Sequence, residues 1–324
     1  MRTDIQLPVF SAQPLGPIKV CVVLVDQIKS GCVVRRAVTV RSCGIGGLWR
    51  PAVSIYNDFY GFAEEPFNIT PNPRFLFFSE QHREAFNHLC FGISEGKGFI
   101  QITGEVGSGK TTLCRAMLDH LDEHYQTALI LNPCMTLTQL LKTMAEELGL
   151  KPQRIDRIHL LDSLNEHLLK QVAQNHRVVL IIDEAQDLSH DLLEQVRLLS
   201  NLETDRQKLL QIVLLGQPEL RDKLNERRMR QLRQRITIRY HLSSLSRAET
   251  ETYIRHRLHV SGDNGSPRFD RGAMRKVYRY SKGIPRLINT VCDKTLLCGF
   301  VMGTDQLTRR HVRRAVRELE GDFK

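Results

Sequence analysis

The sequence predicts an α/β domain built on a parallel sheet, followed by a small all-helical domain, and three observations lead there. Apolar runs of strand length recur at GFIQIT (98–103), TALILN (127–132), RVVLII (177–182) and KLLQIVLLG (208–216). Helix-period stretches separate these runs, and strands alternating with helices make parallel sheets because each crossover must return the chain to the same end. A fifth run, ITIRYHL, closes at residue 242, and beyond it only helical stretches remain.

The first 55 residues share little with the rest. VCVVLV at 20–25 has the composition of a strand, and no leader-like apolar stretch with a small-residue cleavage site is present. Residues 1–55 are expected to be a peripheral or disordered extension; an upstream extension of the reading frame, outside the native protein, is the alternative. Residues 56–78 are dense in aromatic side chains and hold Pro66, Pro71 and Pro73, which forbid a continuous helix. They are expected as an extended lead-in lying across the α/β domain, bordering a ligand or packing on its core. Ser79 then caps a helix, EQHREAFNHLCFGI, with Phe86, Leu89, Cys90 and Ile93 at helical spacing.

Between the first strand and the next helix, TTLCRAMLDHL, lie Gly104, Glu105, Val106, Gly107, Ser108, Gly109, Lys110, Thr111 and Thr112. The first eight satisfy G-x-x-x-x-G-K-[ST] in the strand–loop–helix context that a phosphate-binding loop requires. Glycines let backbone N–H groups converge on an anion, and the helix points its positive end at the same place. In this pattern Lys110 reaches the β and γ phosphates of a nucleotide and the Thr111 hydroxyl sits on Mg²⁺.

Helices are expected at about 136–148 and 158–174. The third apolar run then ends in Asp183 and Glu184, carboxylates placed at the strand end where ligands of open α/β sheets bind. Asp183 is assigned to Mg²⁺ and Glu184 to polarising the attacking water of ATP hydrolysis. A helix over DLLEQVRLLSNLET follows, and the next strand ends at Gly216 and Gln217, whose amide is placed to sense the γ phosphate. The arginine-dense stretch RRMRQLRQRITIRY offers a residue for a neighbouring subunit's nucleotide, with Arg235 the first choice and Arg233 the second. A basic helix with its arginines in water is the alternative.

Past His241, SRAETETYIRHRLHVSG opens with a capping box from Ser246 to Glu249. Two further helices follow, the second with Pro285 at its first turn and Arg286 turned toward the phosphates. The last, TRRHVRRAVREL, carries Val312, Ala315, Val316 and Leu319 on one face and five arginines around it.

The chain of 324 residues has a net charge of +10, unevenly spread: residues 1–55 carry +5, 56–220 carry −9 and 221–324 carry +14. The basic C-terminal part can meet phosphate, an anionic membrane surface or an acidic partner. No run approaches the ~20 apolar residues of a membrane span. Eight cysteines show no C-x-x-C spacing, so buried thiols in the cytoplasm are expected rather than a disulfide framework.

GEVGSGKTT, LIIDEAQDL, LLGQPEL, LRQRI and SKGIPRLIN, in that order, resemble the AAA+ ATPases of the ExeA/GspA (general secretion pathway protein A) family. The lead-in FYGFAEEPFNITPNPRFLFFSEQHREAF is similar to the opening of the same group, including its MSHA-type pilus biogenesis members, and the resemblance covers residues 56–320. It implies an additional-strand P-loop NTPase domain at 56–241 with a five-stranded parallel sheet in the order 5-1-4-3-2, and a helical lid at 242–324. It also implies ATP and Mg²⁺ as ligands, with Arg235 as a finger acting in a homo-oligomer and Arg286 as a second sensor. A secretion or type IV pilus machine is the implied partner. Larger members continue into a membrane span and a peptidoglycan-binding part, and this chain stops at the lid. A cytoplasmic protein, or one peripheral at the inner membrane, is therefore expected. The main alternative is a DNA-binding ATPase of the transposition-helper type, using nucleic acid on the basic lid; a helicase would need a second motor domain.

Overall fold

The computed structural model describes residues 55–203, 208–262 and 265–321 in full, and residues 21–29 and 32–40 by their backbone. Those backbone segments are two strands, Cys21–Lys29 and Cys32–Val40, paired antiparallel with Cys21 opposite Val40. The strand expected at 20–25 is thus one arm of a hairpin whose second arm the sequence reading missed. The rest of residues 1–54, and the expectation of disorder there, lies outside the described residues.

Five parallel strands form the sheet: β1 (Phe99–Gly104), β2 (Tyr125–Ile130), β3 (Arg177–Ile182), β4 (Leu210–Gly216) and β5 (Ile236–Leu242). Their order across the sheet is β2-β3-β4-β1-β5, the arrangement implied by the family resemblance. Register places the strand ends level, with Thr103 opposite Gly216, Gly104 opposite Leu242, and Ile182 opposite both Ile130 and Leu214. The loop after β1, the two carboxylates after β3 and Gln217 after β4 therefore emerge along one edge.

Both faces of the sheet are covered, which is why β1 and β4 are buried along their whole length. Alternate residues serve opposite faces. Ile100, Ile102, Val179 and Ile181 pack with α1 (Glu80–Ser94) and α2 (Lys110–Leu118) through Ala85, Leu89, Ile93, Leu113 and Met117. Phe99, Leu180 and Ile182 turn the other way, onto α3 (Leu137–Glu147), α4 (Arg157–Ala173) and α5 (His190–Leu199). Ser79 caps α1 by accepting the His82 amide, as its position in the sequence suggests. Two short helices, α6 (Pro218–Asn225) and α7 (Arg230–Arg235), link β4 to β5.

The C-terminal part is α8 (Arg247–Val260), α9 (Arg271–Ser281), α10 (Pro285–Val301) and α11 (Arg309–Leu319). It is not purely helical: Arg268–Phe269 and Gln306–Leu307 form a two-residue parallel pair. Patterns this short carry no period and escape sequence reading. These helices share a core of Ile254, Val277, Ile288, Val291, Leu296 and Val312.

The lead-in departs from expectation. Its aromatic residues Tyr56, Tyr60, Phe62 and Phe67 pack into this helical core rather than across the sheet domain. Tyr60 Oη donates to the carbonyl of Leu296 at 3.0 Å, and Tyr56 Oη donates to Asp293. From Pro71, whose carbonyl accepts from Arg115 Nη1 at 3.3 Å, through Pro73–Phe75 to Leu76, the chain reaches α2 and the core beside α1. Among the described cysteines, Cys114, Cys292 and Cys298 are buried free thiols as expected, Cys90 is half-buried, and Cys134 is exposed.

Candidate nucleotide-binding site

The loop after β1 folds back under the start of α2. Gly107 and Gly109 take φ values of +78° and +100°, a region open to glycine and strained for other residues. A Cβ on Gly107 would also stand 2.4 Å from Cβ of Arg286, so the loop and the first turn of α10 need a glycine to approach each other. The Arg286 backbone N–H donates to the Gly107 carbonyl at 3.2 Å. Arg286, the expected lid residue, is thereby held at the loop.

Lys110 is 5% exposed, and its Nζ donates to the carbonyls of Gly104 at 2.8 Å and Glu105 at 3.0 Å. Burial pulls its pKa below the usual lysine value, against the opposing charges of Glu184, Asp183 and Glu105. Thr111 Oγ1 donates to Asp183 Oδ2 at 2.6 Å, across 72 residues of sequence. Asp183 is itself buried, and desolvation raises its pKa although the Thr111 hydroxyl and the Glu184 N–H favour its charged form.

Glu184 stands in the left-handed region at φ +50°, a backbone conformation that residues with a side chain rarely adopt. Gln186 Nε2 donates to its Oε2 at 2.9 Å, and Gln217 Nε2 donates to the same oxygen at 3.1 Å. Burial opposes its ionisation, but these two bonds and the charges of Lys110 and Arg286 outweigh it and hold the carboxyl below the usual glutamate value. A carboxylate ionised and fixed by two amides is suited to orienting a water molecule.

One cavity joins these parts. Val106, Gly107, Ser108, Gly109, Lys110, Thr111 and Thr112 line it on one side, Glu184 and Arg286 on another, and Asn68 to Asn72 of the lead-in with Tyr253 and Asn289 on a third. The Ser108 hydroxyl is buried without a hydrogen-bond partner among the described residues, a polar atom at the loop that suits an anionic ligand. Hydroxyl and carboxylate oxygens at Thr111 and Asp183 are the hard donors that Mg²⁺ takes. The residues present therefore fit a nucleotide triphosphate with Mg²⁺.

Arg235 and Arg233 lie elsewhere. Ile236, next to Arg235, pairs with Phe99 at the far end of the sheet from the loop. Arg235 Nη1 donates to Ser200 Oγ of its own chain at 2.7 Å, and Arg233 Nη1 donates to the Asn225 carbonyl at 3.4 Å. Neither lines the cavity.

Two residues of the site had no sequence signal. His82 is buried on α1, its Nε2 3.0 Å from the Ser108 carbonyl and its Nδ1 2.7 Å from Ser79 Oγ, so that it props the loop from behind. Arg257 of α8 is buried in the opposite wall. It donates from Nε to the Pro66 carbonyl at 2.6 Å and from Nη2 to the Asn68 carbonyl at 3.0 Å. Its guanidinium also lies over the Phe75 ring at 4.5 Å. Both residues look from sequence like ordinary polar positions of amphipathic helices, and their partners are 26 and about 190 residues away.

Known proteins resemble the chain in the same terms. An AAA domain family profile matches residues 93–224. General secretion pathway protein A of Aeromonas hydrophila is 45% identical over 268 residues, which are 82% of this chain and 49% of that protein. The chain thus spans about half the length of this curated relative. Among solved structures, the Aeropyrum pernix ORC2 protein is 19% identical with a TM-score of 0.59, over 79% of this chain and 71% of the other. Cdc6p of Pyrobaculum aerophilum is 17% identical with a TM-score of 0.61, over 78% and 70%. Identities this low speak for the fold alone, an AAA-type P-loop fold.

Proposed function

We propose that this chain, an AAA-domain relative of general secretion pathway protein A, binds and hydrolyses Mg-ATP to drive assembly or remodelling of a secretion or type IV pilus-like envelope machine. The observation that carries the hydrolytic reading is the shared edge of the sheet. There the phosphate-loop lysine, the Thr111–Asp183 pair and the Gln217-bound Glu184 converge from three strand ends. The loop amides and Lys110 would hold the β and γ phosphates, with Arg286 beside them from α10. Thr111 and Asp183 would hold Mg²⁺, which when bound neutralises phosphate charge.

Glu184 orients and polarises the attacking water, and Gln217 fixes its carboxylate. Arg235 acts on the nucleotide of the next subunit in a homo-oligomer formed with ATP. The envelope role rests on the relative's name and on the 45% identity that links the two chains. The test is ATP turnover by the full chain together with its size in solution, measured with and without ATP. Turnover with ATP-dependent assembly supports the reading, and a chain that binds ATP without hydrolysing it would remove the enzymatic part.

A further inference from the structure

The outer face of the C-terminal helices carries an ordered array of charge. α9 and α11 each follow directly on one member of the short parallel pair, with Arg268 opposite Gln306 and Phe269 opposite Leu307. The two helices therefore start side by side and run in the same direction. A methyl group on Gly272 would sit 3.3 Å from Cβ of Arg309, which fixes the first rung. In this register Arg271, Arg275 and Arg279 of one helix accompany Arg309, Arg313 and Arg317 of the other, both sets recurring at every fourth residue. All six are exposed, as are Lys282 and Arg310. Among the described residues, the ion pair found on these two helices is Arg314–Glu318 at 3.2 Å, which uses none of the six.

Arginines four residues apart are separated by about 6 Å along a helix axis, and packed helices lie about 8–10 Å apart. The result is a two-row array whose six arginines form no ion pair among the described residues, although the exposed carboxylates Asp270 and Glu318 adjoin Arg271 and Arg317 in sequence. At its N-terminal end the array is bordered by apolar side chains. α10 runs back against α11 and ends there with Val301 66% exposed and Met302 56% exposed. Phe59 of the lead-in, 43% exposed, stands edge-on to Phe300 at 5.5 Å between centroids. Met302 Sδ lies 4.0 Å from Cys298 Sγ, a thiol on which the ion-paired Arg314 and Glu318 of α11 both act, so the apolar tip adjoins α11.

We propose that this face docks the protein on an anionic membrane surface, its arginines on headgroup phosphates and Phe59, Val301 and Met302 in the interfacial layer. Basic clusters flanked by exposed apolar side chains are what such a surface selects. A nucleic-acid duplex would use the arginines but leave the apolar tip in water. This proposal does not depend on ATP hydrolysis.

The test is co-sedimentation of the full chain with vesicles of phosphatidylcholine, with and without phosphatidylglycerol, across a salt series. Binding is expected only with phosphatidylglycerol and should weaken as salt rises. Since each basic residue near an anionic leaflet contributes roughly a fivefold gain in partitioning, R275Q/R279Q/R313Q should lose about a hundredfold. Gln keeps helix propensity, and unchanged circular dichroism and ATP turnover would show the fold intact. V301S/M302S should retain adsorption at low salt and release at high salt. Equal binding by the triple variant, absence of wild-type binding to phosphatidylglycerol, or arginine-dependent binding of duplex DNA without vesicle binding would each overturn the assignment.

Discussion

Arg257→Met tests whether one buried guanidinium fastens the lead-in to the helical part and so shapes the ligand cavity. The substitution keeps much of the side-chain volume but deletes the donors to the Pro66 and Asn68 carbonyls and the contact over Phe75. The buried Pro66 carbonyl, left unsatisfied, costs about 1–3 kcal/mol, whereas the Asn68 carbonyl belongs to an exposed residue and keeps the Asn289 Nδ2 donor at 3.4 Å. Loss of a desolvated cation–π contact adds roughly 0.5–2 kcal/mol. The native arginine is held charged at a cost, since burial lowers its pKa against the tyrosine and carboxylate charges around it. That cost is recovered when the charge is removed, which sets the net destabilisation nearer about 1–4 kcal/mol by the same reckoning. For a unit of this size, about 2–4 °C per kcal/mol gives a fall of roughly 2–15 °C in thermal midpoint. Because Asn68 to Asn72 wall the cavity, ATP affinity measured by titration calorimetry should fall as well, and Arg257→Lys should restore part of both. A midpoint and an affinity equal to wild type for Arg257→Met would refute the reasoning.

The remaining predictions concern the loop and its supports. Lys110→Ala should weaken ATP binding by roughly a hundredfold or more, since hydrogen bonds from a charged donor contribute about 1.5–3 kcal/mol each; a nucleotide-binding titration decides it. Gly283→Ala places a methyl 1.9 Å from the Leu245 carbonyl at a φ of +81° and should destabilise by roughly 2–5 kcal/mol, read by urea denaturation. His82 is buried with its pKa lowered by desolvation, so the unfolded chain binds its proton first as pH falls below 6.5. That contribution to stability is complete above pH ~6.5 and is lost progressively toward the lower folded value. The thermal midpoint should accordingly fall over that window, and less steeply in His82→Asn.

The parts legible in the sequence were those written in local pattern. Buried strands such as RVVLII and KLLQIVLLG announce themselves by length and apolarity, and Ser79, Ser246 and Pro285 mark helix starts that the structure shows within a residue. The loop and the strand-end carboxylates follow from local spacing, which marks Thr111 and Asp183 separately as magnesium candidates; the hydrogen bond between them is visible only in the fold. What escaped depends on tertiary proximity. The aromatic lead-in advertises a need to pack, but whether on the sheet or on the C-terminal helices is settled by Tyr60 reaching Leu296, some 236 residues on. His82 and Arg257 are polar residues on half-buried helices, and only the fold brings them to backbone carbonyls. The two arginine rows are visible as composition, yet their alignment comes from a strand pair of two residues.

The claim that the edge of the sheet is a hydrolytic centre is tested most directly by Glu184→Gln, with ATP binding and steady-state turnover measured side by side. The amide preserves the shape beside Gln217 and removes the charge proposed to polarise water. Binding near the wild-type affinity with turnover reduced by roughly 10²–10⁴-fold, the contribution typical of a positioned base, is the predicted result. Turnover equal to that of the wild type would contradict it and take Glu184 out of the reaction.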